Sequence, residues 1–180
     1  MAGIAIARPA PTEYVPHFAR YIDLVPDGDV LDLLRRQVDE TASLVGKLSD
    51  RDADYRYAEG KWSIKEVVGH IADTERIFVY RALCFARREA AGLPGFDENA
   101  YVRHANFSAR SLKDLLSDLR TARAATVSFL SGLDEEALMR RGTANQREYT
   151  VRAIAYIIAG HERHHAGIVA ERYLPGIRKR

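Results

Sequence analysis

The sequence has a single cysteine, Cys84, among 180 residues. One thiol excludes an internal disulfide framework and points to a reducing compartment, the cytoplasm. Long apolar runs are missing too: none approaches the ~20 residues that a membrane-spanning helix needs. The start of the chain carries Ile4 and Ile6 but soon meets Arg8 and two prolines, without the basic start and continuous apolar stretch of a signal peptide. An excess of one charge is also lacking. The formal net charge is +2, and acidic and basic residues interleave, which leaves no basic stripe for nucleic acid. Glycine and proline are sparse and gather between periodic segments, with no nucleotide-type glycine loop, internal repeat or low-complexity tract. The remainder, 47% apolar and 29% charged, is the composition of a soluble globular protein whose length fits one domain with a sizeable core.

The periodic segments are helical. Pro9, Pro11, Pro16 and Pro26 break any long helix in residues 1–28. That stretch is read as an arm with a short helical turn near 14–23, packed on the domain through Tyr14, Phe18, Tyr21 and Ile22. Asp29 is an expected N-cap for a first helix over about 29–49. Ser63 and Glu66 form a capping box for a second, running to about Ala90. Ala91 to Gly95 opens a loop to about Arg110, long enough to be functional or to cover a site. Ser111 caps a third helix that ends at Gly132, and a short turn follows at 134–139. Residues 142–149 read as polar connection, and Thr150 caps a last helix that reaches Tyr173, with Pro175 and Gly176 closing it. No strand alternation is evident. The chain therefore predicts an all-α four-helix bundle over 29–174, an N-terminal arm at 1–28 and a basic tail at 175–180, whose Arg178-Lys179-Arg180 is a solvated end.

The chemistry concentrates in Gly160-His161-Glu162-Arg163-His164-His165. His161 and His165 are four apart and share the face that carries Ile154, Ile157, Ile158, Ile168 and Val169, so both imidazoles aim inward. Such a pair can chelate one metal ion. His70 lies at the inner edge of the second helix, flanked by Val67, Ile71, Glu66, Asp73 and Thr74. Gly69 precedes His70 and Gly160 precedes His161. A helical glycine costs roughly 1 kcal/mol relative to alanine, so a backbone must pass close by or leave room for something. Three histidines from two helices would leave a divalent ion with open positions, the catalytic pattern rather than the closed structural one. Imidazole suits zinc, nickel, iron and copper alike. His164 is an alternative to His165, or a second-shell base. Glu66, Asp73 and Glu162 could orient imidazole N–H groups, although each also reads as an exposed helix charge. Cys84 lies about 21 Å along the axis from His70, too far to share the ion, and reads as a buried thiol. His17 and His104 read as surface or loop residues.

Lys61-Trp62-Ser63-Ile64-Lys65-Glu66-Val67-Val68-Gly69-His70-Ile71-Ala72-Asp73, followed far downstream by Gly160-His161-Glu162-Arg163-His164-His165, resembles the DinB-like superfamily. The shared elements are Trp62, Ser63, Glu66 and His70, then His161 and His165. The resemblance covers roughly residues 29–174. It implies a four-helix bundle of up-down-down-up topology, a divalent metal held by His70, His161 and His165, and a homodimer. Members are described as metal-dependent hydrolases. Some relatives are thiol-dependent transferases or isomerases that use low-molecular-weight thiols such as mycothiol or bacillithiol. Residues 93–101 resemble a stretch of other members and are expected to wall the metal. The leading expectation is thus a cytoplasmic metal-dependent enzyme of the hydrolase or thiol S-transferase kind, acting on a small molecule. The alternatives are a stress-response binding protein whose metal is structural or vestigial, and a metal-free scaffold.

Overall fold

Four side chains set the starts of the four long helices in the computed structural model, which describes residues 5–178. Asp29 Oδ1 accepts from the Leu31 N–H at 2.8 Å and starts α2, Val30–Val45. Ser63 Oγ accepts from Glu66 N at 3.2 Å while Glu66 Oε2 accepts from Ser63 N at 2.6 Å, the reciprocal box at the head of α4, Ile64–Ala86. Ser111 caps α6, Leu112–Ser131, and Thr150 caps α8, Val151–Ile168. Each cap satisfies backbone donors that a helix start leaves free. Ile4, Lys179 and Arg180 lie outside the described residues.

α2 packs against α6 and α8, and so does α4. The consecutive helices α2 and α4 therefore lie diagonally across the bundle. Phe85 near the end of α4 meets Tyr149 at the head of α8, while Trp62 before α4 meets Tyr173 beyond α8, so these two run antiparallel. Gln37 bonds the Ala159 carbonyl and Thr41 bonds Glu162, so α2 and α8 run parallel, and Ile64 with Leu115 in one half of the core and Phe78 with Leu130 in the other set α4 and α6 parallel. The arrangement is the expected up-down-down-up bundle. Its antiparallel α4 and α8 mean that His70 near the start of one meets His161 and His165 near the end of the other.

The apolar core divides in two. One half gathers Leu34, Phe78, Leu130, Ile154 and Ile157, and the other Val38, Ile64, Val68, Leu115 and Leu119. Between them lies a buried ionic cluster. Arg123 donates from Nε and Nη2 to the two oxygens of Glu75, both at 2.8 Å, from Nη2 to Glu162 at 2.7 Å, and from Nη1 to the Leu34 carbonyl at 2.9 Å. Thr41 Oγ1 donates to Glu162 at 2.6 Å. One arginine thereby ties all four long helices. Burial opposes its charged form, but Glu162 and Glu75 beside it raise its pKa above the ordinary value. Glu162, read from sequence as an exposed charge, is 1% exposed, because α8 turns it toward Arg123 and α2.

Phe18, Tyr21 and Ile22 are buried, around 3-10 turns at Pro11–Glu13 and Pro16–Phe18 and the short helix α1, Ala19–Ile22. Buried Glu13 holds it to α8, accepting from Thr150 Oγ1 at 3.0 Å and Arg152 Nε at 2.6 Å. A short turn, α3, spans Asp50–Ala53. α4 stops at Ala86, four residues before the expected end. Arg88 there takes a left-handed φ of 61° and Glu89 N–H bonds the Cys84 carbonyl, a helix stop usually made by glycine. The long loop contains α5, Glu98–Ala105, and a 3-10 turn at Phe107–Ala109. After α7, Glu135–Met139, the expected polar connection is instead an antiparallel hairpin, β1 Arg141–Ala144 and β2 Arg147–Thr150. Its turn residues Asn145 and Gln146 have φ of 51° and 58°, the twist that two-residue hairpins require. Pro175 and Gly176 do not end the last helix. A wide π turn at Val169–Tyr173 leads into α9, Leu174–Ile177, where Pro175 occupies the first turn and its missing donor is not needed.

Candidate metal centre

Three imidazoles meet between α4 and α8. His161 Nε2 lies 3.1 Å from His70 Nε2 and 3.1 Å from His165 Nε2, and the three candidate ligand atoms all fall within 4.8 Å of one another. A ring nitrogen carries either one proton or one lone pair, so His161 Nε2 cannot bond both neighbours at once. Three nitrogens bound to one ion at 2.0–2.1 Å sit about 3.0–3.4 Å apart. The two 3.1 Å spacings are those of ligands around a shared cation.

Local structure holds each ring in place. Thr74, one turn after His70, has its Oγ1 3.3 Å from His70 Nδ1, close enough to accept a proton carried there, the tautomer that leaves the Nε2 lone pair toward the centre. Trp62 lies 4.6 Å from the His70 ring and stacks at 6.4 Å over His165. Tyr21 from the arm packs edge-on against His161 at 5.4 Å. The two flanking glycines allow close approach. A Cβ on Gly69 would fall 2.4 Å from the Phe107 ring, and one on Gly160 would fall within the Tyr21 backbone. The arm thus lies directly on α8 beside His161.

His164 is outside the trio and packs on Tyr21 at 5.4 Å. Glu66 is taken up by Ser63 N–H and Arg56, and Asp73 by Arg76, so the partner of His70 is Thr74 rather than either carboxylate. Cys84 is half-buried and packs at the edge of the core, rather than fully buried. His104 is exposed on α5, and His17 is exposed on the arm. Phe96 and Glu98 wall a cavity on the His161 side, and Asn99 walls one on the His165 side, where the expected covering loop lies. The second cavity, about 230 Å³, is aromatic, with Tyr57, Trp62 and Tyr173 around His165.

Sequence reading missed Glu75 and Arg123. Both interrupt apolar stripes, Glu75 four residues after Ile71 and Arg123 four after Leu119, and that interruption is the signal that could have found them. The cluster carries one arginine against two glutamates, a net negative charge one residue from Thr74 and one from His161, which favours a cation nearby.

Burial pushes the His70 imidazole down to about 4. Burial and the neighbouring His70, His164 and Arg20 push His165 down to about 3, and burial with its ring neighbours places His161 well below its ordinary value. All three are therefore neutral at pH 7 and ready to bind metal. Folded pKa values below the unfolded value mean that the unfolded chain binds more protons, so stability is full above about pH 6.5 and declines as pH falls toward 4. For His70 alone the loss by pH 5 is on the order of 2 kcal/mol. Urea unfolding of chelator-treated protein at pH 7.5 and pH 5 should show it. Equal stabilities at the two values would contradict the depressed imidazoles.

A family model described as DinB superfamily matches residues 33–169. Among solved structures the chain is similar to YfiT from Bacillus subtilis, described as a probable metal-dependent hydrolase with an unusual four-helix bundle topology. The TM-score is 0.73 at 19% identity, over 79% of this chain and 82% of that one. The comparison with curated proteins finds no match. Among the described residues no helix is long and apolar enough to cross a membrane.

Proposed function

The chain belongs to the DinB superfamily, and from that membership and the three converging imidazoles we propose that it is a metal-dependent enzyme of the hydrolase or thiol S-transferase type. The observation that carries the reading is the shared vertex at His161 Nε2, 3.1 Å from both partner nitrogens. His70, His161 and His165 would hold the ion, and three ligands leave positions open. An ion held by these residues would supply Lewis-acid chemistry, the activation of a water or thiol and the polarisation of a substrate oxygen. The residues around it do the rest. Thr74 Oγ1 lies within reach of His70 Nδ1, Trp62 packs on the His70 and His165 rings and Tyr21 on that of His161, and His161 lines one cavity while His165 lines another. The aromatic cavity beside His165 suits an apolar substrate portion. The same reading includes a homodimer, with exposed Tyr80 and Leu83 on α4 as its apolar face; a monomer in sedimentation would remove that part.

The test uses protein purified without a histidine tag. Metal analysis is expected to give about one equivalent of zinc, nickel or iron. Turnover of an activated ester, or of an electrophile with a bacterial thiol, should disappear on chelation and return on reloading. A large drop in thermal stability on chelation, with no turnover of either substrate, would instead favour a structural ion.

A further inference from the structure

Beside His161 opens a cavity of about 120 Å³ whose far wall is basic. Arg20 comes from α1, Arg81 from α4 and Arg147 from β2, three elements far apart in sequence. None of the three lies within ion-pair distance of a carboxylate among the described residues. Arg81 is 5% exposed. It donates to Tyr149 Oη at 3.3 Å and the Pro94 carbonyl at 2.9 Å, and its guanidinium lies 5.4 Å from the Phe78 ring and 5.8 Å from the Phe96 ring. Arg20 contacts His17 Nε2 at 3.2 Å and Tyr21 Oη at 2.9 Å. Arg20 is exposed and Arg147 half-buried; burying the Arg81 guanidinium without an anion is costly, whereas buried Arg123 is paired with two glutamates. Glu98 is the one carboxylate among the lining residues, so the wall keeps a positive excess.

The hairpin and loop hold this wall in place. Leu93 N–H bonds the Thr143 carbonyl and Asn145 N–H bonds the Leu93 carbonyl, each at 2.9 Å, which fixes Arg147 and Phe96 on the same rim. The floor is Thr74 and His161. The space, about 120 Å³, has room for a small oxyanion.

We infer that this cavity is an oxyanion subsite, in which Arg20, Arg81 and Arg147 bind a carboxylate or phosphate group of the substrate beside the imidazole trio. Arginine's planar fork matches either group in bidentate fashion. That the oxyanion belongs to a substrate rests on the metal-enzyme reading; the subsite itself does not.

The test is calorimetric titration of the full-length, metal-free protein at pH 7.5 and low salt with succinate, with inorganic phosphate, and with succinamide as the uncharged isostere. One site is expected for an oxyanion, and none for succinamide. The tighter of succinate and phosphate identifies the group. Arg147→Ala and Arg20→Ala should each weaken it at least tenfold, while Arg120→Ala, an exposed arginine paired with Asp39 away from the cavity, should not. Arg81→Lys, which keeps charge but not the fork, should weaken it as well. Absence of oxyanion binding, binding unchanged in both alanine variants of the cavity, or binding seen only after metal loading would overturn the subsite. Protein that takes no metal yet binds the oxyanion loses only the metal reading, and protein that binds metal but no oxyanion loses only the subsite.

Discussion

His161→Ala is expected to leave a folded protein that no longer retains a divalent ion. Its Nε2 is the vertex that both other rings approach at 3.1 Å, so its removal leaves two ligands from different helices with no common partner. Loss of groups that merely orient a ligand costs roughly 10–100-fold in metal affinity, and loss of the central ligand should exceed the upper end of that range. His164→Ala is the matched control. Its ring packs on Tyr21 outside the trio, and its metal content should equal that of the parent. Elemental analysis together with competition against a chelator of known affinity measures both. Equal metal in His161→Ala and the parent, or equal losses in both variants, would end the assignment of His161 as a ligand.

Arg123→Met should be the most destabilising single change in the bundle interior. The parent side chain is 2% exposed and is the ion-pair partner of both Glu75 and Glu162, which are 2% and 1% exposed. Methionine fills the space but leaves two carboxylates without a cation in the core. Breaking a buried pair in this way costs about 3–5 kcal/mol. At roughly 2–4 °C per kcal/mol for a chain of this size, the melting temperature should fall by about 10 °C. Replacing all three charged groups, as Arg123→Met with Glu75→Gln and Glu162→Gln, removes the uncompensated charge and should recover more than half of the loss. Urea unfolding of the two variants decides it. A cost under about 1 kcal/mol for the single variant would show that water or rearrangement satisfies the glutamates.

Much of this was legible before any coordinates. The caps Asp29, Ser63, Ser111 and Thr150 are local signals, and each starts the helix it marks. The meeting of His70 with His161 and His165 was legible because the i, i+4 pair lies on an apolar face and glycines flank both helices' histidines. The partners of those glycines, Phe107 and the Tyr21 backbone, were not, since contact across the bundle leaves no trace in local pattern. The hairpin was missed because four-residue strands are too short to show alternation and its turn is Asn-Gln rather than Asn-Gly. The ionic layer was missed because a glutamate on an amphipathic helix reads as a solvated face unless its arginine on another helix is already known. The basic cavity draws on residues 20, 81 and 147, and only the folded hairpin and arm bring them to one rim.

The segment matched by the family model begins at residue 33, whereas the backbone lying on Gly160 belongs to Tyr21. Trimming this chain to the matched segment would strip the Tyr21 cover from the His161 imidazole and delete Arg20 along with it. It would also remove the Asp29 cap and the first three residues of α2, together with Phe18 and Ile22, which complete one half of the core. Assays meant to describe this protein need the first thirty residues in place.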